Sequence, residues 1–224
     1  MVSANMTFIL LGAVIFSFWI QHLVKSNFIK FSKVRSSSGL TGAKIAEYIL
    51  AANGIHDVRV QHVPGILTDH YDPRNRTVNL SDEVYGKASV SAASIAAHET
   101  GHAIQHAKAY FPLQIRTAIL PVADFGSKAA FPLIFMGIFF RISGFLDLGI
   151  IAFAAALIFQ IVTLPVEFDA SARALKQLSN GLITEEELTG TKKVLGAAAM
   201  TYVMSALISL IQLLRFIGIR NSRN

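Results

Sequence analysis

Three long stretches of the chain carry no Lys, Arg, Asp or Glu: Met1 to Val24, the residues between Asp147 and Glu167, and those between Lys193 and Arg215. Each approaches or exceeds the ~18 apolar residues that a helix needs to cross a bilayer. A helix lying on a water-soluble core would show a polar stripe, and these show almost none. The pattern predicts an integral membrane protein. Another apolar run, between Lys128 and Arg141, is too short to cross by itself. It spans if its helix continues to Leu146 while Arg141 snorkels to the far headgroups.

The intervening residues follow other periods. Ser36-Ser37-Ser38-Gly39 is a flexible connection. Thr41 caps an expected helix from Gly42 to Ala52, which Asn53-Gly54 ends. Val58 to Val63 alternates as a strand, and Leu67 to Leu80 forms a hairpin around Pro73-Arg74-Asn75. Ser81 to Gly86 is a turn or short helix, and Ser91 to about Ala107 is built of strong helix formers without proline. The expected fold is therefore a mainly α membrane protein: a helical bundle of three or four transmembrane helices with a small α+β unit of roughly 80 residues.

Composition agrees. Only 15% of the residues are charged, fewer than in an ordinary globular domain, and the net charge is +6. Basic residues gather at the ends of apolar stretches: Lys25, Lys30, Lys33 and Arg35; Lys192 and Lys193; Arg215, Arg220 and Arg223. That distribution suits anchoring in a bilayer and argues against nucleic acid as a partner, since no aromatic residues interleave with the charges. The first stretch lacks the basic start and cleavage site of a signal peptide and reads as a retained anchor. Its basic C-terminal flank puts residue 25 onward in the cytoplasm. Two further crossings then return the chain to that side, placing Glu167 with His98. The last apolar stretch is either a fourth crossing or a helix packed on the bundle.

The chain has no cysteine, so any metal rests on His, Asp and Glu. His98-Glu99-Thr100-Gly101-His102 is the H-E-x-x-H pattern. On a helix, positions four apart share a face, and both imidazoles reach one zinc ion. Glu99 sits where it can take a proton from the water that the metal activates. Gly101 leaves that face open and lets another element pack closely. His106 lies eight residues from His98, about 12 Å along a helix, too far to share the ion. The third ligand is better sought in Leu164-Pro165-Val166-Glu167-Phe168-Asp169, where Glu167 or Asp169 completes a two-histidine, one-carboxylate site, with Glu167 preferred. Arg173, Tyr202, His70 and Tyr71 are candidates for oxyanion stabilisation. The arm Arg76 to Ser81 reads either as an edge strand for an extended substrate or as part of an ordinary hairpin that covers the H-E-x-x-H helix.

Several of these segments resemble one family. Lys33 to Gly42, Leu67 to Leu80 with Asp69-His70-Tyr71-Asp72-Pro73-Arg74-Asn75, Ala97 to His106, and Leu164 to Ser171 look like the YugP-type bacterial membrane zinc metallopeptidases over nearly the whole chain. More distantly the chain is similar to the HtpX and CAAX-prenyl protease group of gluzincins, in which a membrane hairpin separates H-E-x-x-H from a glutamate ligand. The resemblance implies zinc held by His98, His102 and Glu167, with Glu99 as catalytic base. In that group an aspartate four residues after the glutamate orients a zinc histidine. Here that position is Ser171, and Asp169 is the candidate to replace it.

The expected organisation is an anchor (1–24), a cytoplasmic zincin-like unit (25–128), a transmembrane hairpin (129–166), a third-ligand helix with a cytoplasmic segment (167–193), and a C-terminal apolar helix with a basic tail (194–224). The expected activity is zinc-dependent endopeptidase action in a bacterial plasma membrane, on a protein or peptide substrate, membrane proteins first. An oligomer or regulatory membrane partner is left open. The rival reading is a non-catalytic membrane scaffold with a structural metal, which would recruit His106 or His70 as a fourth ligand. A channel is disfavoured because, Arg141 apart, the spans lack charge.

Overall fold

The computed structural model describes residues 2–222; Met1, Asn224 and the basic-flank residue Arg223 lie outside the described residues. In chain order the elements are α1 (Val2–Ser32), α2 (Gly42–Ala52), β1 (Arg59–His62), β2 (His70–Asp72), β3 (Thr77–Leu80), α3 (Asp82–Tyr85), α4 (Val90–Ala107), α5 (Phe111–Phe139), α6 (Ser143–Ser179) and α7 (Glu185–Asn221). Among the described residues, four helices are long and apolar enough to cross a membrane: Asn5–Ser32, Phe111–Phe139, Ser143–Ser179 and Glu185–Asn221. The protein is a mainly α membrane protein with one small three-stranded sheet among the described residues, as the hydropathy pattern predicts.

The chain divides into two compact units. The first comprises Met1–Ile20, Gln114–Pro165 and Met200–Asn224. Its packed centre joins Ala130, Ile134, Leu146, Phe153 and Phe216, with Phe153 and Phe216 edge to face at 5.4 Å. A side chain at Gly126 would meet the Ala152 carbonyl at 2.7 Å, so α5 and α6 approach as small-residue membrane helices do. Asp147, near the start of α6, pairs with Arg220 at the end of α7 (2.9 Å). α5 does not continue to Leu146. It closes at Phe139, and Arg141, in the left-handed region (φ 58), turns the chain. The helix reaches its length by starting at Phe111, and within it Asp124 and Lys128 pair one turn apart (2.7 Å).

The second unit comprises Gln21–Leu113 and Val166–Ala199. Thr41 caps α2 through its side chain and Ser89 caps α4 in the same way. The Thr184–Glu187 capping box forms: the Thr184 N–H donates to Glu187 (2.8 Å) and the Glu187 N–H to Thr184 (3.3 Å). The core joins Ile45 and Ile49 of α2, Val78 and Leu80 of β3, the alanines of α4, and Ala174 and Leu178 of α6. In the sheet the order is β1-β3-β2, with β1 parallel and β2 antiparallel to β3. This corrects the reading of Arg76 to Ser81 as an edge. Thr77–Leu80 is the central strand, buried at every residue, because Arg59–His62 returns alongside it in parallel. The edge opposite β1 is β2.

Candidate metal centre

All the residues of the centre belong to the second unit. His98 and His102 stand four residues apart on α4, their rings 4.8 Å between centroids and nearly perpendicular (83°). Both Nε2 atoms face one oxygen of Glu167 on α6, at 3.3 Å for His98 and 3.6 Å for His102. Donor atoms bound tetrahedrally at 2.0–2.1 Å lie about 3.3–3.4 Å from one another. The two nitrogen–oxygen separations are therefore close to those of a zinc site, and all three donor atoms fall within 4.8 Å of each other. Glu167 is 3% exposed, and an acid buried against two imidazoles suits a cation.

The approach of α6 to α4 depends on Gly101. A β-carbon there would meet the Ala170 carbonyl oxygen at 2.6 Å, one turn after Glu167. The glycine of the motif thus lets Glu167 reach the two histidines. Around it Ala97 and Ala103 are buried, giving a helix narrow enough to be surrounded.

The field of the centre is negative. Burial is the largest influence on the His102 pKa and acts to lower it. The bond to Glu167, the charges of Glu99 and Glu167, and the bond to Gln105 together outweigh burial and hold the value above the ordinary histidine range. A position that draws a proton in this way also draws a metal cation. Glu99, beside His98 in sequence, is itself buried, at 9% exposure.

Each histidine is held from behind by its other nitrogen. His98 Nδ1 meets the Ser171 hydroxyl at 3.2 Å, so Ser171, four residues after Glu167, contacts this imidazole directly. His102 Nδ1 meets Gln105 Oε1 at 3.0 Å. Asp169 touches neither imidazole; it accepts from the Gln105 amide (2.8 Å) and from Arg173 Nε (2.6 Å). Arg173 is committed to Asp169, with its guanidinium 5.6 Å from the centre of the Tyr110 ring. Gln105 is a functional candidate that the H-E-x-x-H pattern does not include; its place one turn after His102 is the signal the sequence offers.

The remaining histidines turn elsewhere. His106 Nδ1 shares a hydrogen bond with the Tyr71 hydroxyl (2.7 Å), whose pKa burial and the Asp72 charge push up to about 12. His70 donates through Nδ1 to the Thr68 carbonyl (2.8 Å) and accepts at Nε2 from the Asn79 amide (3.2 Å). Tyr202 lies on α7 in the first unit.

Residues 6–221 match the family described as "Putative neutral zinc metallopeptidase". The chain is 53% identical over 215 residues to "Putative membrane protease YugP" of Bacillus subtilis (strain 168), covering 95% of each chain. No solved structure matches. Zinc, the metal expected from the H-E-x-x-H spacing, is the metal of that family, and the His98, His102 and Glu167 donor set fits it. The chain belongs to the neutral zinc metallopeptidase family.

Proposed function

We propose that the chain is a zinc-dependent endopeptidase that cuts membrane or misfolded proteins near the inner leaflet of a bacterial plasma membrane. The observation that carries this reading is the set of three donor atoms of His98, His102 and Glu167, all within 4.8 Å of one another with the Glu167 oxygen 3.3 and 3.6 Å from the two imidazole nitrogens, beside the buried Glu99. The bound ion supplies Lewis acidity, which brings a water molecule's pKa toward ~7. Glu99 takes the proton released as the water oxygen attacks the peptide carbonyl, and passes it to the departing amine nitrogen.

The edge of β2, beside α4, is where an extended substrate strand adds to the sheet by main-chain hydrogen bonds. The basic cluster Lys25, Lys30, Lys33 and Arg35, following the first apolar stretch, favours a cytoplasmic position for the residues after it. A relative named as a membrane protease supports a substrate reached at the membrane. The rival scaffold reading needs a fourth protein ligand; His106 and His70 are bonded to Tyr71 and to Thr68 and Asn79.

The test is purified protein in detergent with an unfolded protein substrate. Glu99→Gln is expected to retain zinc and to lose cleavage by about 10²–10⁴-fold, the usual share of a general base. Cleavage at the wild-type rate in that variant sinks the mechanism.

A further inference from the structure

Gln105 is completely buried, at 0% exposure, one turn beyond His102 on α4. One end of its amide lies 2.8 Å from the Val166 carbonyl oxygen and 2.8 Å from Asp169 Oδ2. Both are acceptors, so that end is the NH2 group, and its two hydrogens are both engaged. The other end is then the carbonyl oxygen, which only accepts, and it lies 3.0 Å from His102 Nδ1. Nδ1 must therefore carry the hydrogen. A neutral imidazole protonated there keeps its lone pair at Nε2, the atom that faces Glu167.

We propose that Gln105 is a positioning residue that fixes His102 in its Nδ1–H tautomer and, by gripping the Val166 peptide, sets the neighbouring Glu167 at the same time. One amide governs two of the three metal ligands. Arg173 completes the device by holding the Asp169 carboxylate toward the amide (2.6 Å). The His98 side works differently: the Ser171 hydroxyl can donate or accept, so it supports that ring without dictating its tautomer. This inference rests on the zinc reading of the same centre.

Zinc affinity of the full chain in detergent, measured by competition with a chromophoric chelator, tests it. Gln105→Leu, similar in volume but without an acceptor, is expected to weaken zinc about 10–100-fold, the usual cost of losing an outer hydrogen-bond partner. Gln105→Glu sets an oxygen against the Val166 and Asp169 acceptors and is expected to weaken zinc as well. Adding Asp169→Asn to Gln105→Glu returns an NH2 donor to that contact, and part of the affinity should come back. A residue that only fills space gives no such recovery. Wild-type zinc binding with Gln105→Leu within about threefold of it overturns the inference, well short of the usual outer-partner effect. So does a double variant that binds no tighter than Gln105→Glu, a comparison that decides alone if Gln105→Leu does not fold. A wild-type protein that binds no zinc instead removes the metal reading, and this inference with it.

Discussion

The helices α4 and α1 are both rich in apolar residues, and they use them in opposite ways. On α4 the apolar residues are mostly alanines, and Ala92, Ala93, Ala96, Ala97 and Ala103 are all buried. On α1 they are large, and Phe8, Ile15 and Phe18 are 73%, 61% and 65% exposed. In water the second arrangement would be a large sticky patch. In lipid it is the ordinary outer face of a span, because acyl chains are as apolar as the side chains. α4 is shaped to fit its protein neighbours and α1 to fit a solvent. The size of the residues, rather than their hydrophobicity, tells the two apart.

Mutations can break this contrast. The largest expected effect removes what α4 was shaped to meet: Glu167→Ala takes away the acid between His98 and His102. Its zinc affinity should fall by more than the roughly 10–100-fold typical of outer partners. Metal analysis after dialysis reads it, and retention of stoichiometric zinc would exclude Glu167 as a ligand.

Acidification acts on the same face. A protonated imidazole has no lone pair to offer, so zinc affinity falls as pH drops. The raised pKa of His102 makes that loss begin above the ~6.5 of an ordinary histidine, at about tenfold per pH unit for each proton taken up. Glu99→Gln removes one of the charges that raise it, and chelator titrations across pH should show the onset move downward.

The smallest effects come from making one substitution in both helices. Gly101→Ala drives a methyl against the Ala170 carbonyl and is expected to destabilise the protein by about 1–3 kcal/mol, the range for overpacking, with weaker zinc binding. At Gly12 of α1 a β-carbon meets nothing within 4 Å. Gly12→Ala should be neutral or stabilising by up to about 1 kcal/mol through helix propensity. Thermal unfolding in detergent measures both, and equal shifts would erase the distinction between the helices.

Features that depend on spacing along one helix were legible in the sequence. The i, i+4 histidines, the Thr41 cap and the Thr184–Glu187 box each involve partners within a turn. Membrane helices with long uncharged runs were legible because a bilayer demands them, whereas α5, which holds Asp124 and Lys128, was bounded wrongly. What failed to show was whatever depends on a partner far along the chain. Nothing in Thr77–Leu80 itself says that Arg59–His62 will pair with it in parallel, although a strand buried at all four residues behaves as a central one. Glu167 and Asp169 sit two residues apart and differ by about 200° around a helix, so spacing alone gave only a preference for Glu167 as the acid facing the histidines and did not show Asp169 facing Gln105. The role of Gln105 was hidden for the same reason: two of its three partners lie on α6.

The pairing of Asp169 with Arg173 has an electrostatic consequence. It cancels one acid internally and leaves the carboxylates of Glu99 and Glu167 as the remaining negative charges of the cluster. A divalent cation held by the histidines and Glu167, as proposed above, would match those two charges, so the loaded cluster would be neutral as a whole. A neutral assembly escapes most of the solvation penalty that an ion suffers on leaving water, and α6 can therefore carry such a site at the end of an apolar run without a counterion from outside.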